Sequence, residues 1–147
     1  MTTTEATKPV HLQWGFIGIV AAGGVLGALA RYGLGLVIPA PNAWPLPILV
    51  INLSGALALG ALLEGLSRRG PDVGSRRVLR LALGTGFLGA YTTYSTLALD
   101  AVHLFTVGEA FGAAGYLAAS MLGGAAATTA GIWLGAWHHR RATERQK

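Results

Sequence analysis

The 147-residue chain contains no cysteine. Disulfides are excluded, and the redox compartment leaves no trace in the sequence. Charge is also scarce. Asp, Glu, Lys and Arg make up 12% of the residues, against about 25% in an ordinary soluble domain. No His/Cys/carboxylate cluster suggests a catalytic metal, and no nucleophile–base pair is visible, so the pattern argues against an enzyme. No soluble domain, low-complexity region or internal repeat stands out. No carboxylate lies deep in an apolar run; Asp100 comes nearest. Proton-coupled cation carriers usually need one there.

What the chain has instead is apolar length. It is 52% hydrophobic, with a mean hydropathy of +0.52. Four apolar segments run over about 12–38, 46–66, 79–106 and 109–137. Each approaches the roughly 20 residues that span a bilayer. The predicted fold is an all-α integral membrane protein with four transmembrane helices, the third broken at its centre. Residues 1–11 are predicted to be a disordered tail, 12–137 the transmembrane domain and 138–147 a basic cytoplasmic tail. The run Trp14–Ala30 exceeds the roughly 7–15 residues of a signal-peptide core, and Glu5 is out of place before it, which argues against cleavage.

The net charge of +5 could suggest nucleic acid, but the basic residues sit at the ends of apolar runs rather than among aromatics on one face. Their distribution speaks to orientation. With four spans, both termini and the second connection share a side. That side carries Lys8, Arg68, Arg69, Arg76, Arg77, Arg80, Arg140, Arg141, Arg145 and Lys147. The other side carries no Lys or Arg. The positive-inside rule predicts a multi-pass protein of the inner (plasma) membrane with both termini cytoplasmic.

Three helices carry stripes at a spacing of four, and each stripe shares one helix face. They are Gly23, Gly27, Arg31 and Gly35; Asn52, Ala56, Gly60 and Glu64; and Gly112, Tyr116, Ser120 and Gly124. Small residues at this spacing let helices approach closely in a membrane. Arg31 lies about 7–8 Å beyond the middle of its span. It reads either as a snorkelling side chain or as a charge facing an aqueous vestibule. Asn52 either binds a neighbouring helix or lines a polar path. Glu64 and Arg68 read as a solvated i,i+4 pair.

Residues 84–96 interrupt the third apolar run with Gly84, Gly86, Gly89, Tyr91, Thr92, Thr93, Tyr94, Ser95 and Thr96. Lipid offers no hydrogen-bond partners, so broken backbone survives there only when protein buries it or it lines a polar cavity. One reading is an ion site; the other is a glycine-kinked helix whose hydroxyls bond back to their own carbonyls. Hydrogen-bond donors, one fixed positive charge and electropositive ring edges suit a small hard anion. Four helices with so little polar surface cannot enclose a wide path, which favours oligomerisation.

Taken in order, these residues resemble the CrcB/Fluc fluoride channels over about 20–137. The matching pieces are Gly23-Gly24 and Gly27-Ala28 through Arg31-Tyr32, then Val50-Ile51-Asn52-Leu53-Ser54-Gly55. The most specific is Gly89-Ala90-Tyr91-Thr92-Thr93-Tyr94-Ser95-Thr96. Tyr116 and Ser120 complete the set. The resemblance implies an antiparallel dimer with two pores, passive fluoride export and a central sodium ion held by the backbone carbonyls of Gly89 and Thr92. Fluoride would follow Asn52, Tyr94, Ser95, Thr96, Tyr116 and Ser120. The family presents two phenylalanines to the ion, three residues apart. Here they are Tyr94 and Leu97. With the one-sided charge bias, this departure suggests a partner that is an oppositely oriented paralogue, the alternative being drift in a working homodimer. A four-helix multidrug-type exporter needs a glutamate in the first span, where this chain has Arg31. A scaffolding subunit without its own permeation path leaves the polar third segment unexplained.

Overall fold

The computed structural model describes residues 12–41 and 44–144. The tail predicted to be disordered, 1–11, lies outside the described residues, as do Lys8, Arg145 and Lys147. Every regular element among the described residues is helical. Three helices are long and apolar enough to cross a membrane: α1 (Trp14–Val37), α2 (Leu46–Ser67) and α6 (Ala110–Glu144). The 35 residues of α6 measure roughly 52 Å at 1.5 Å each, against a hydrocarbon core of about 30 Å. One helix therefore runs on through His138 to Glu144, and the boundary drawn at residue 138 is not a break in the backbone.

The segment between α2 and α6 is not one helix. It begins as α3 (Ser75–Leu79), widens into a π-helix (Arg80–Leu88), closes with the single turn α4 (Gly89–Tyr91) and resumes as α5 (Tyr94–Thr106). Thr92 (φ −80°, ψ 157°) and Thr93 (φ −147°, ψ 127°) are extended. The glycines and hydroxyls of this segment lead one to expect non-helical backbone near residues 89–93. Thr92 and Thr93 leave helical geometry inside that window, whereas Gly89 stays helical (φ −62°, ψ −34°). A glycine permits a break but does not require one. At 92 and 93 the β-branched threonines favour extended backbone, and Asn52 supplies hydrogen bonds that make it affordable.

α2 packs along α6, and α1 along the π-helix and α4. Both contacts use backbone against backbone. A Cβ on Gly23 would meet the carbonyl of Ala82, and one on Gly27 that of Phe87. Gly60 lies against the carbonyl of Thr128, and Gly131 against that of Leu57. α5 packs on α6 differently, through side chains. Ala101, Leu104, Ala113 and Tyr116 are buried together, with Trp44, Leu49, Leu97 and Leu117 around them. The Trp44 ring meets Tyr116 edge-on at 5.9 Å.

The predicted stripes hold only in part. A Cβ on Gly35 or Gly124 would meet nothing within 4 Å. On α6 the mating positions are Gly131 and Gly135, on the same face as Gly124 but about two and three turns further along, where α2 comes close. α5 ends in a Schellman arrangement: Gly108 at φ +87° lets its own N–H reach Phe105 and the Glu109 N–H reach Leu104. At the opposite, basic end, Glu64 pairs with Arg68 as expected. Asp72 binds Arg80 through both carboxylate oxygens. The hydrogen bond from Arg80 holds the exposed Asp72 carboxyl below its usual range.

Candidate functional site

The site is built on the Thr92–Thr93 break. Extended backbone inside a helical bundle leaves amide groups without ladder partners, and each must be satisfied. Asn52, half-buried on α2, does this for Thr93 in both directions. Its Oδ1 accepts from the Thr93 N–H at 2.9 Å, and its Nδ2 donates to the Thr93 carbonyl at 2.9 Å. The asparagine amide thus replaces a peptide unit of a neighbouring strand. Thr93 in turn caps α5: its Oγ1 accepts from the Thr96 N–H at 3.3 Å. The same hydroxyl lies 3.2 Å from Ser95 Oγ and 3.1 Å from Thr96 Oγ1. Thr92 closes the preceding turn, with its hydroxyl donating to the Leu88 carbonyl at 3.0 Å.

These bonds have a consequence for two carbonyls. In a continuous α-helix Gly89 would receive the Thr93 N–H, and Thr92 would receive the Thr96 N–H. The first donor goes to Asn52 and the second to Thr93 Oγ1. Both oxygens therefore lose their helical donor. Both residues line a groove of about 380 Å³, together with Asn52, Thr93, Tyr94 and Leu97.

The other residues singled out from sequence fall into separate places. Tyr94 borders the same groove and is 82% exposed. Ser95 is exposed and Thr96 half-buried, both tied to Thr93. Tyr116 is 0% exposed, within the α5–α6 core, and its hydroxyl donates to Asp100 Oδ2 at 3.5 Å. Ser120 donates to the Tyr116 carbonyl at 2.8 Å. Neither Tyr116 nor Ser120 lines the groove. Arg31 is half-buried on α1, away from the groove, and no hydrogen bond or ion pair reaches its side chain among the described residues.

Sequence reasoning undervalued Thr93, which is the hub of the cluster. Its signal was a threonine three residues ahead of Thr96 at the start of a helical run, the spacing of an N-cap. Thr128 was missed altogether. It reaches the groove from α6 while its hydroxyl bonds back to Gly124 at 2.9 Å. Tyr91 is buried, stacks on Phe87 at 5.8 Å, fits over Gly55 and meets Ser54 Oγ at 2.8 Å.

The sequence model described as CrcB-like protein, Camphor Resistance (CrcB) matches residues 18–132, from α1 through most of α6. The chain is 46% identical over 132 residues to the fluoride-specific ion channel FluC 2 of Leifsonia xyli, covering 90% of this chain and 91% of that protein. It is 38% identical over 120 residues to the fluoride-specific ion channel FluC of Chloroflexus aurantiacus, covering 80% and 93%. It is 43% identical over 114 residues to FluC 2 of Geobacillus kaustophilus, covering 76% and 86%. The match runs through all three long helices and the broken segment between them, and the chain belongs to the CrcB family.

Proposed function

We propose that the chain is a subunit of a fluoride channel that lets the ion leave the cytoplasm passively. Relatives named as fluoride-specific channels cover most of its length. The observation that carries the reading within this molecule is the Asn52 clamp on the Thr92–Thr93 break. Fluoride is small and holds its water tightly, so a path must replace those interactions with donors. The clamp keeps Thr93, Ser95 and Thr96 gathered at the break. Asn52 retains one amide hydrogen beyond the one given to Thr93. The segment 75–106 then serves as a fourth span, its interruption tolerated because α2 satisfies the freed backbone. Tyr116 and Ser120 would form a further stage, separated from the groove by the packing of α5 on α6.

The Gly89 and Thr92 carbonyls suit a sodium ion, since both are hard oxygen donors relieved of helical partners. Such an ion would supply a fixed positive charge beside the anion path. Two carbonyls are too few for a cation of this kind, so a second subunit would have to complete the set. This supports a dimer. The one-sided basic residues favour a single orientation, with both termini cytoplasmic, in the inner (plasma) membrane. Tyr94 keeps a ring at the groove, whereas Leu97 does not. Both facts favour a partner subunit of the opposite orientation.

Fluoride release from proteoliposomes, read with a fluoride electrode, tests this directly. The expected result is little flux from the chain alone and robust flux when it is coexpressed with an oppositely biased paralogue. The chain has no cysteine, so a single cysteine at Ser75 reports orientation by labelling from one side only. Strong fluoride-selective flux from the chain alone, with equal labelling from both sides, would sink the partner and restore a dual-topology homodimer. Absence of fluoride flux in every combination would refute the channel itself.

A further inference from the structure

A second concavity lies at the basic end of the molecule, remote from the break. It measures about 460 Å³ and opens between α2, α6 and the start of the interrupted segment. Its walls are apolar, chiefly Leu62, Leu66, Leu79, Leu83 and Leu134, and its rim carries Arg69, His138 and His139. The arginines around it are not equivalent. Arg68 binds Glu64, Arg76 the Pro71 carbonyl, and Arg77 and Arg80 bind Asp72. Among the described residues, Arg69 is the member of this group whose guanidinium has no protein partner. It is also the one that faces the groove.

The depth of the rim is marked on α6. Trp133 and Trp137 stack at 6.3 Å on the exposed surface, and Arg141 sits over Trp137 at 3.9 Å. Exposed tryptophans followed by a cation mark the boundary between hydrocarbon and headgroups. His138 lies one residue beyond Trp137, so the rim stands at headgroup level with the apolar walls beneath it. An unpaired guanidinium above an apolar slot at this depth complements a phosphodiester attached to acyl chains.

We propose that this groove is a binding site for an anionic phospholipid of the surrounding leaflet. Arg69 engages the phosphate and an acyl chain lies against Leu62, Leu79 and Leu83. The site is independent of the ion path and of the identity of the permeant ion.

Gly65 makes the proposal testable without disturbing the fold. It lines the groove, and a Cβ there would meet nothing within 4 Å. Gly65→Leu therefore puts an apolar side chain into the slot from a Cβ position that is clear of every neighbour. The experiment titrates lipid into the detergent-solubilised full chain and counts bound phospholipid by native mass spectrometry. Phosphatidylglycerol is expected to bind in preference to phosphatidylcholine, and soluble glycerol phosphate not at all. Arg69→Gln should weaken phosphatidylglycerol binding about tenfold or more, the loss of one charge-assisted contact. Arg76→Gln removes the same charge outside the groove and should leave binding within about twofold. Gly65→Leu should abolish it with Arg69 intact. Equal binding of both phospholipids, equal effects of the two arginine variants, or unchanged binding in Gly65→Leu would overturn the site.

Discussion

The two halves of the interrupted segment are held by opposite means. Residues 80–91 lean on α1 through glycines, so that carbonyls of Ala82 and Phe87 press into the places where side chains would be. Residues 94–106 lean on α6 through side chains, with Tyr116, Leu104 and Trp44 interleaved. In the first half backbone shape determines position, and no neighbour can yield. In the second half rotamers determine position, and a changed side chain can repack. Between the two lie Thr92 and Thr93, held by Asn52 of α2. The contrast says which half is rigid scaffold and which can be tuned.

The largest expected effect comes from breaking the first half. In Gly27→Leu the new Cβ would fall on the Phe87 carbonyl, with the Phe87 carbonyl carbon at 2.8 Å and its Cα at 3.0 Å. Backbone cannot rotate away as a side chain can. The cost should lie at or beyond the upper end of the ~1–3 kcal/mol typical of overpacking. Little or no monodisperse protein should survive size-exclusion chromatography. Gly18→Leu, on the same helix with nothing within 4 Å, should behave like the parent. Equal recovery of the two variants would remove the distinction between the halves.

Next in size is the junction. Asn52→Ala leaves the Thr93 N–H and carbonyl without their side-chain partner. Each unsatisfied buried group costs about 1–3 kcal/mol. The adjoining groove admits water to part of this surface, so the total should stay near ~1–3 kcal/mol. Thermal unfolding in detergent should show the loss, and amide exchange should accelerate at residues 92–96 more than within α2. If exchange rises equally throughout, Asn52 is a general packing residue rather than a clamp.

The same contrast explains what could be read from the sequence. The helical fold, the apolar length of α1, α2 and α6, and the Glu64–Arg68 pair follow from periodicity and local spacing. The glycine stripe on α1 was legible because Gly23 and Gly27 both point at one neighbour. The stripe on α6 was misread. Gly124 and Gly131, seven residues apart, share one helix face, and only the place where α2 crosses decides that Gly131 is the one in contact. The break falls within the expected window of 89–93, but its position inside that window was not legible. Composition shows where helix is weak, at Gly89. Where the chain actually leaves helical geometry depends on Asn52, which lies 41 residues away from Thr93 in sequence. No local pattern encodes that bond.

The smallest effect is expected in the second half, at Leu97. This side chain is half-buried, touching the Tyr116 cluster on one side and the groove on the other. Leu97→Phe adds volume, but the ring can turn toward about 380 Å³ of open groove instead of forcing α5 from α6. The stability change should therefore stay below the ~1–3 kcal/mol of overpacking in a closed core. What should change is the chemistry of the groove. A phenyl edge is electropositive, whereas a leucine methyl offers nothing to an anion. If the groove is the ion path, fluoride flux through the assembled channel should rise, by less than tenfold for a single added edge contact worth ~0.5–1.5 kcal/mol. Leu99→Phe supplies the control, since Leu99 is exposed away from the groove and should alter neither property. An increase in Leu97→Phe alone would assign the second half of the segment to tuning the path. A fall in stability as steep as that of Gly27→Leu would show instead that α5 is as unyielding as the glycine-packed half, and the contrast between them would be lost.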